Sequence, residues 1–160
     1  MSILIGIAAV GVSALVGTAL GLLAGYNGGW LDGVIMSLAD VQIAFPGVLA
    51  GLVLISAFGP GLWLVVVVIV LSGWMVFTRI TRGLVLSLSS SLFVEAARLN
   101  GAVPRRVMFR HLLPNLAPSL MTLIVLEFAA AVLAESAFSF LGFGVQPPQA
   151  SWGLIIAQGR

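Results

Sequence analysis

Residues 3–25 run for 23 positions without a charge, and no other feature limits the fold as tightly. As a helix this stretch is about 35 Å long, enough to cross a hydrocarbon core of roughly 30 Å. Inside lipid every backbone amide needs a partner within the protein, so a spanning run of this kind is helical. Three further apolar runs follow at about 34–58, 62–78 and 115–140. With 61% hydrophobic and 8% charged residues, 160 residues cannot cover a soluble surface. The expected fold is all-α, a polytopic membrane helical bundle with four spans. The chain has no cysteine, so neither disulfides nor thiolate metal ligands are expected. A net charge of only +2 and the absence of lysine argue against nucleic acid. The arginines read instead as a topology signal, because they collect in loops that stay in the cytoplasm.

Six of the seven basic residues lie between Arg79 and Arg110. That places residues 79–113 inside, the turn at Gly59-Pro60-Gly61 outside, and both ends of the chain outside. In the first span, Gly17, Gly21 and Gly25 repeat every four residues, a face on which another helix can approach closely. Tyr26-Asn27-Gly28-Gly29-Trp30 then reads as an interfacial turn. The second span carries Asp40 and Gln42, and Phe45-Pro46 predicts a kink. Asp40 is costly in lipid, and Arg79, on the same side of the membrane, is its expected partner. Glu127 and Glu135 lie in the fourth span and, with Asp40, are the candidate intramembrane polar sites. Glu127 is mid-span, which fits either a functional site or a protonated or hydrogen-bonded structural carboxyl. Leu141 to Gly144, then Pro147-Pro148, should end that helix. Residues 150–160, with Trp152, form a piece too short to cross.

The arginine-rich insert has a shape of its own. Leu92, Ala96 and Leu99 fall at i, i+4 and i+7, one stripe of a short helix. Glu95 and Arg98, spaced i, i+3, share another side of that helix and can pair weakly. Ser89 to Ser91 supply N-caps, and Asn100-Gly101 a left-handed C-terminal turn. Pro104 restarts a helix bearing Arg105, Arg106 and Arg110. Leu113-Pro114 leads into the fourth span. The insert is therefore a helix–turn–helix along the inner surface.

The order Glu95-Ala96-Ala97, three residues, Gly101, nine residues, position 111, one residue, Leu113-Pro114 resembles the EAA loop of ABC-type importer permeases. His111 stands where the general pattern has isoleucine. Arg110 to Asn115, Ala24 to Trp30, Ala44-Phe45-Pro46, Leu133-Ala134-Glu135 with Ser139 to Gly142, Gln146-Pro147-Pro148 and Ser151-Trp152-Gly153 resemble the dipeptide/oligopeptide/nickel branch. The resemblance implies a multi-pass subunit in a bacterial or archaeal cytoplasmic membrane. It also implies six spans per subunit, so one span before Met1 and one after Arg160 are expected.

By the same resemblance this chain works with ABC ATPase subunits, a second homologous permease subunit in a heterodimer, and an extracytoplasmic solute-binding protein. Glu95, Ala96, Ala97, Arg98, Leu99 and Gly101 form the coupling helix that docks on the ATPase, tethered through Leu113 and Pro114. Catalytic residues, metal ligands and cofactors are expected to be none in this chain, with ATP and magnesium on the partner. The expected cargo is di- and oligopeptides, with nickel chelates or other small solutes as the alternative. A channel or membrane scaffold explains the spans but not the ordered insert. An intramembrane enzyme finds one histidine and no G-x-S-x-G, H-E-x-x-H or phosphate-binding loop.

Overall fold

The computed structural model describes residues 1–144 and 151–159. Its elements are α1 (Ser2–Asn27), α2 (Gly29–Ile43), α3 (Gly47–Phe58), α4 (Leu62–Ser89), α5 (Leu92–Leu99), α6 (Pro104–Phe140) and α7 (Trp152–Gln158). Among the described residues α1, α4 and α6 are long and apolar enough to cross a membrane.

The seam between α1 and α4 is the centre of the bundle. Gly17, Gly21 and Gly25 on one face of α1 meet α4 backbone. A Cβ added at Gly21 would lie 2.6 Å from both the Thr78 carbonyl oxygen and Thr81 Cβ. At Gly25 it would lie 2.9 Å from Val85 Cβ, and at Gly17 it would run into the Trp74 carbonyl and Phe77. Small residues let two helices pack backbone to backbone where lipid supplies no hydrophobic drive. Two apolar clusters flank the seam. One holds Ile5, Val10, Val65, Phe77, Leu123 and Phe138; the other, at the arginine-rich end, holds Leu22, Val85, Val94, Val107, Leu112 and Leu116.

Three segments depart from the sequence expectation. The second span is two helices, α2 and α3, with Ala44 to Pro46 between them. Pro46 caps α3 with extended backbone (ψ 118°), and Gly47 directly after it removes the helix preference that would otherwise reduce the break to a kink. The third helix does not stop at Thr78. It continues to Ser89, because Thr81 and Val85 extend the face buried against α1. Arg79 and Arg82 therefore lie inside that helix, not at its end.

Nor does Leu113-Pro114 separate two helices. Residues Val107–Leu112 form a π-helical stretch inside one continuous helix, Pro104–Phe140. Pro114 has no amide hydrogen for the preceding turn and its ring crowds that turn, and a widened π turn accommodates both. Asn115 Nδ2 also donates to the His111 carbonyl at 2.6 Å. At the far end α7 folds back on α6, with Gly153 against the Ser136 carbonyl. There the Trp152 amide donates to Ser2 Oγ at 3.2 Å. The expected break at Pro147-Pro148, and Gln146, lie outside the described residues.

Candidate functional site

The site begins where α4 ends. Ser91 takes the N-cap position of α5 with extended backbone, but its hydroxyl donates back to the Leu88 carbonyl at 2.5 Å and makes no side-chain cap bond to α5. Ser90 Oγ likewise donates to Ser87 at 3.1 Å. These serines therefore fasten the joint to α4 and do not cap the helix that follows.

One residue anchors α5 to the bundle from within. Val94 is fully buried among Val85, Val107 and Leu112. Its burial stabilises the contact by about 1.5–3 kcal/mol. A second anchor is electrostatic: the Arg98 guanidinium lies 5.1 Å from the centre of the Tyr26 ring at the end of α1. Measured at 100° per residue, Leu92, Ala96 and Leu99 fall within about 60° of one another and nearly opposite Val94. The exposures agree, with Leu92 and Leu99 both 83% exposed. Glu95 and Ala96 are exposed beside them, while Ala97 is half-buried. The buried back face thus holds the apolar stripe outward.

The far end of α5 is a two-bond turn. The Gly101 amide donates to Arg98 O at 2.9 Å, and the Ala102 amide to Ala97 O at 3.1 Å. Gly101 itself has φ 76°, the left-handed conformation this turn requires and that a side chain disfavours. Arg105, Arg106 and Arg110 follow on exposed turns of α6 and take part in no ion pair among the described residues. Leu113 packs on the cluster under α5, and Pro114 lines an apolar groove between α1 and α6.

Behind the elbow, three side-chain links tie α2 antiparallel to α4. Arg82 donates to both oxygens of Asp32, at 2.5 and 2.6 Å. Arg79 pairs with Asp40. Gln42 donates to the Leu71 carbonyl and accepts from Trp74 Nε1 at 2.7 Å. From Asp32 to Gln42 is about 15 Å of helix, which matches the rise between Arg82 and Leu71 to Trp74. The hydrogen bonds from Arg82 hold the Asp32 carboxyl below its ordinary value of 3.8, against an opposing push from partial burial. The Arg82–Asp32 pair was not among the sequence expectations, although two acids on α2 facing two arginines on α4 is a readable signal.

The three candidate carboxyls, Asp40, Glu127 and Glu135, do not converge. Asp40 is exposed in its ion pair. Glu135 is fully buried and accepts a hydrogen bond from Ser139 Oγ at 2.6 Å, while its second oxygen has no partner among the described residues. Glu127 is half-buried and lines a cavity between α1, α3, α4 and α6.

Residues 17–160 match the family described as binding-protein-dependent transport system inner membrane component. The chain is 37% identical over 160 residues to the glutathione transport system permease protein GsiD of Pectobacterium atrosepticum. It is 34% identical to the dipeptide transport system permease protein DppC of Alkalihalophilus pseudofirmus and 39% identical to the putative peptide permease protein BOV_A0350 of Brucella ovis. Each match covers 100% of this chain and 53% of the relative, so the chain spans about half the length of the curated relatives it matches. A helical bundle with three helices able to cross a bilayer is what an inner membrane component requires. The chain belongs to the family of binding-protein-dependent transport system inner membrane components, and is a multi-pass membrane protein.

Proposed function

We propose that this chain is part of a permease subunit of an ATP-driven importer of small peptides, and that α5 is the part that receives work from a separate ATPase. The observation that carries the reading is the outward stripe Leu92, Ala96 and Leu99 on a helix whose opposite face is fixed by Val94. In a helix lying at the arginine-rich, cytoplasmic end, such a stripe fits a groove on a soluble partner. ATP and magnesium belong to that partner; this chain supplies no catalytic group and no cofactor.

The proposed mechanism is mechanical. A docked α5 moves with the ATPase, and its two ends are short. Ser90 and Ser91 join it to α4, and Gly101 to Val103 join it to α6. Displacement of α5 therefore tilts α4 and α6 against each other, and alternating access follows from rocking of packed helices. The relatives whose names specify glutathione, dipeptide and peptide transport support a peptide cargo. The complete assembly is then two permease subunits, two ATPases and an external binding protein.

The test is uptake. Vesicles holding the full-length complex should accumulate labelled di- and oligopeptides only with ATP and the binding protein. Replacing Leu92 and Leu99 by aspartate should abolish accumulation without preventing membrane insertion. Uptake that proceeds without ATP, or that survives the double replacement, refutes the proposal.

A further inference from the structure

Away from the elbow, a cavity of about 230 Å³ opens among Ser13 of α1, Gly47 of α3, Ser72 and Gly73 of α4, and Glu127 and Ala130 of α6. Its polar side chains share one character. Ser13 Oγ donates to the Ala9 carbonyl at 2.8 Å, and Ser72 Oγ to the Val68 carbonyl at 2.9 Å. With those protons committed, both hydroxyl oxygens offer only lone pairs to an occupant. An ionised carboxylate also only accepts. Glycine keeps the space open: a Cβ at Gly73 would lie 2.8 Å from Ser13 Oγ, and one at Gly47 2.8 Å from Ser72 Oγ.

Glu127 sits at the middle of the apolar length Leu113–Phe140 and takes part in no ion pair among the described residues. A carboxylate at that depth is expensive and is found facing protein or a water-filled space, beside a cation or a donor. This cavity supplies further acceptors and no cationic side chain. We infer that the cavity binds a primary ammonium group, the amino terminus of a transported peptide, with Glu127 as its counter-ion.

An ammonium carries three donors, as many as the acceptor side chains lining the cavity. The volume is below the roughly 300–1,000 Å³ of pockets that enclose a drug-sized ligand. The cavity therefore takes the end of a peptide and leaves the rest outside, unread. This inference rests on the peptide-import reading.

The test uses binding, not transport. In the full-length permease complex in lipid nanodiscs, on a cysteine-free background, Ala130→Cys reports access to the cavity through its rate of reaction with a neutral maleimide. Alaninamide, a primary ammonium, should slow that reaction about tenfold, equivalent to ~1.4 kcal/mol, relative to N-acetylalaninamide. Glu127→Gln should remove the protection, read as the ratio of rates with and without alaninamide in the same variant, and Glu127→Asp should keep part of it. Equal protection by the acetylated compound, protection that survives Glu127→Gln, or a cysteine that never reacts because a neighbouring subunit seals the cavity each overturns the inference. Peptide uptake without protection sinks this site alone; protection without peptide uptake sinks the import reading and leaves an amine site.

Discussion

Replacing Gly101 separates a backbone effect from a packing effect. A Cβ added there meets nothing within 4 Å, so no neighbour has to move. The penalty comes from φ 76° alone. An L-residue in that conformation costs about 1–2 kcal/mol, with asparagine at the low end and a β-branched side chain above it, up to about 3 kcal/mol. Each 1.4 kcal/mol is tenfold in an equilibrium constant, so Gly101→Val should populate the opened turn roughly 100-fold more than glycine does. The turn carries the two bonds that hold Gly101 and Ala102, the start of the link to α6, against the end of α5, so opening it frees that link. Binding-protein-stimulated ATP turnover in the reconstituted full-length complex should fall in the order Gly, Asn, Ala, Val, with basal turnover and membrane insertion unchanged. Normal stimulated turnover in Gly101→Val, or an asparagine as harmful as valine, would refute a rigid elbow whose one requirement is a left-handed residue.

Other changes test the frame that holds this elbow. Gly21→Ala should destabilise the α1–α4 seam by about 1–3 kcal/mol, because the new methyl meets backbone that cannot yield, whereas Gly11→Ala meets nothing; thermal aggregation midpoints should separate the two. A double-mutant cycle on Asp32 and Arg82 should give a coupling of about 1 kcal/mol, and the more exposed Asp40–Arg79 pair close to zero. Since the Asp32 carboxyl is held below 3.8, its contribution is present above that pH and is lost as pH falls through its lowered value. Stability attributable to the pair should therefore be flat from pH 7 to 5 and decline only below about 3.8. Tyr26→Leu should loosen α5 by about 0.5–1 kcal/mol, measured as faster amide exchange at Val94 to Arg98, and Tyr26→Trp should not.

What was legible in the sequence was whatever depends on spacing along one helix. Gly17, Gly21 and Gly25 announce a close-packed face, and the structure puts α4 against it. Leu92, Ala96 and Leu99 announce a stripe, although periodicity alone does not say whether a stripe faces in or out. Val94, which fixes that choice, sits off the stripe and gives no signal without its partners Val85 and Val107. Partnerships between helices were half-legible. Asp40 and Arg79 followed from depth and side, while Arg82 to Asp32 and Gln42 to Trp74 needed the α2–α4 register. Proline was ambiguous in the other direction. Pro46 breaks its helix because glycine follows, whereas Pro114 is absorbed by the π turn before it. Arginine is a poor marker of a helix end, because α4 continues past Arg79 and Arg82 for as long as its buried face, through Thr81 and Val85, continues.

Coupling through α5 depends most on where its outward face goes. This chain has no native cysteine, so Leu99→Cys in a cysteine-free full-length permease can be cross-linked by a short bis-maleimide in inside-out vesicles. A docked α5 should give a single adduct with the ATPase subunit, formed faster when ATP is present, and no modification by an impermeant reagent added to the opposite face. Modification from the outer face, or an α5 that never cross-links to the ATPase in a complex competent for uptake, contradicts it.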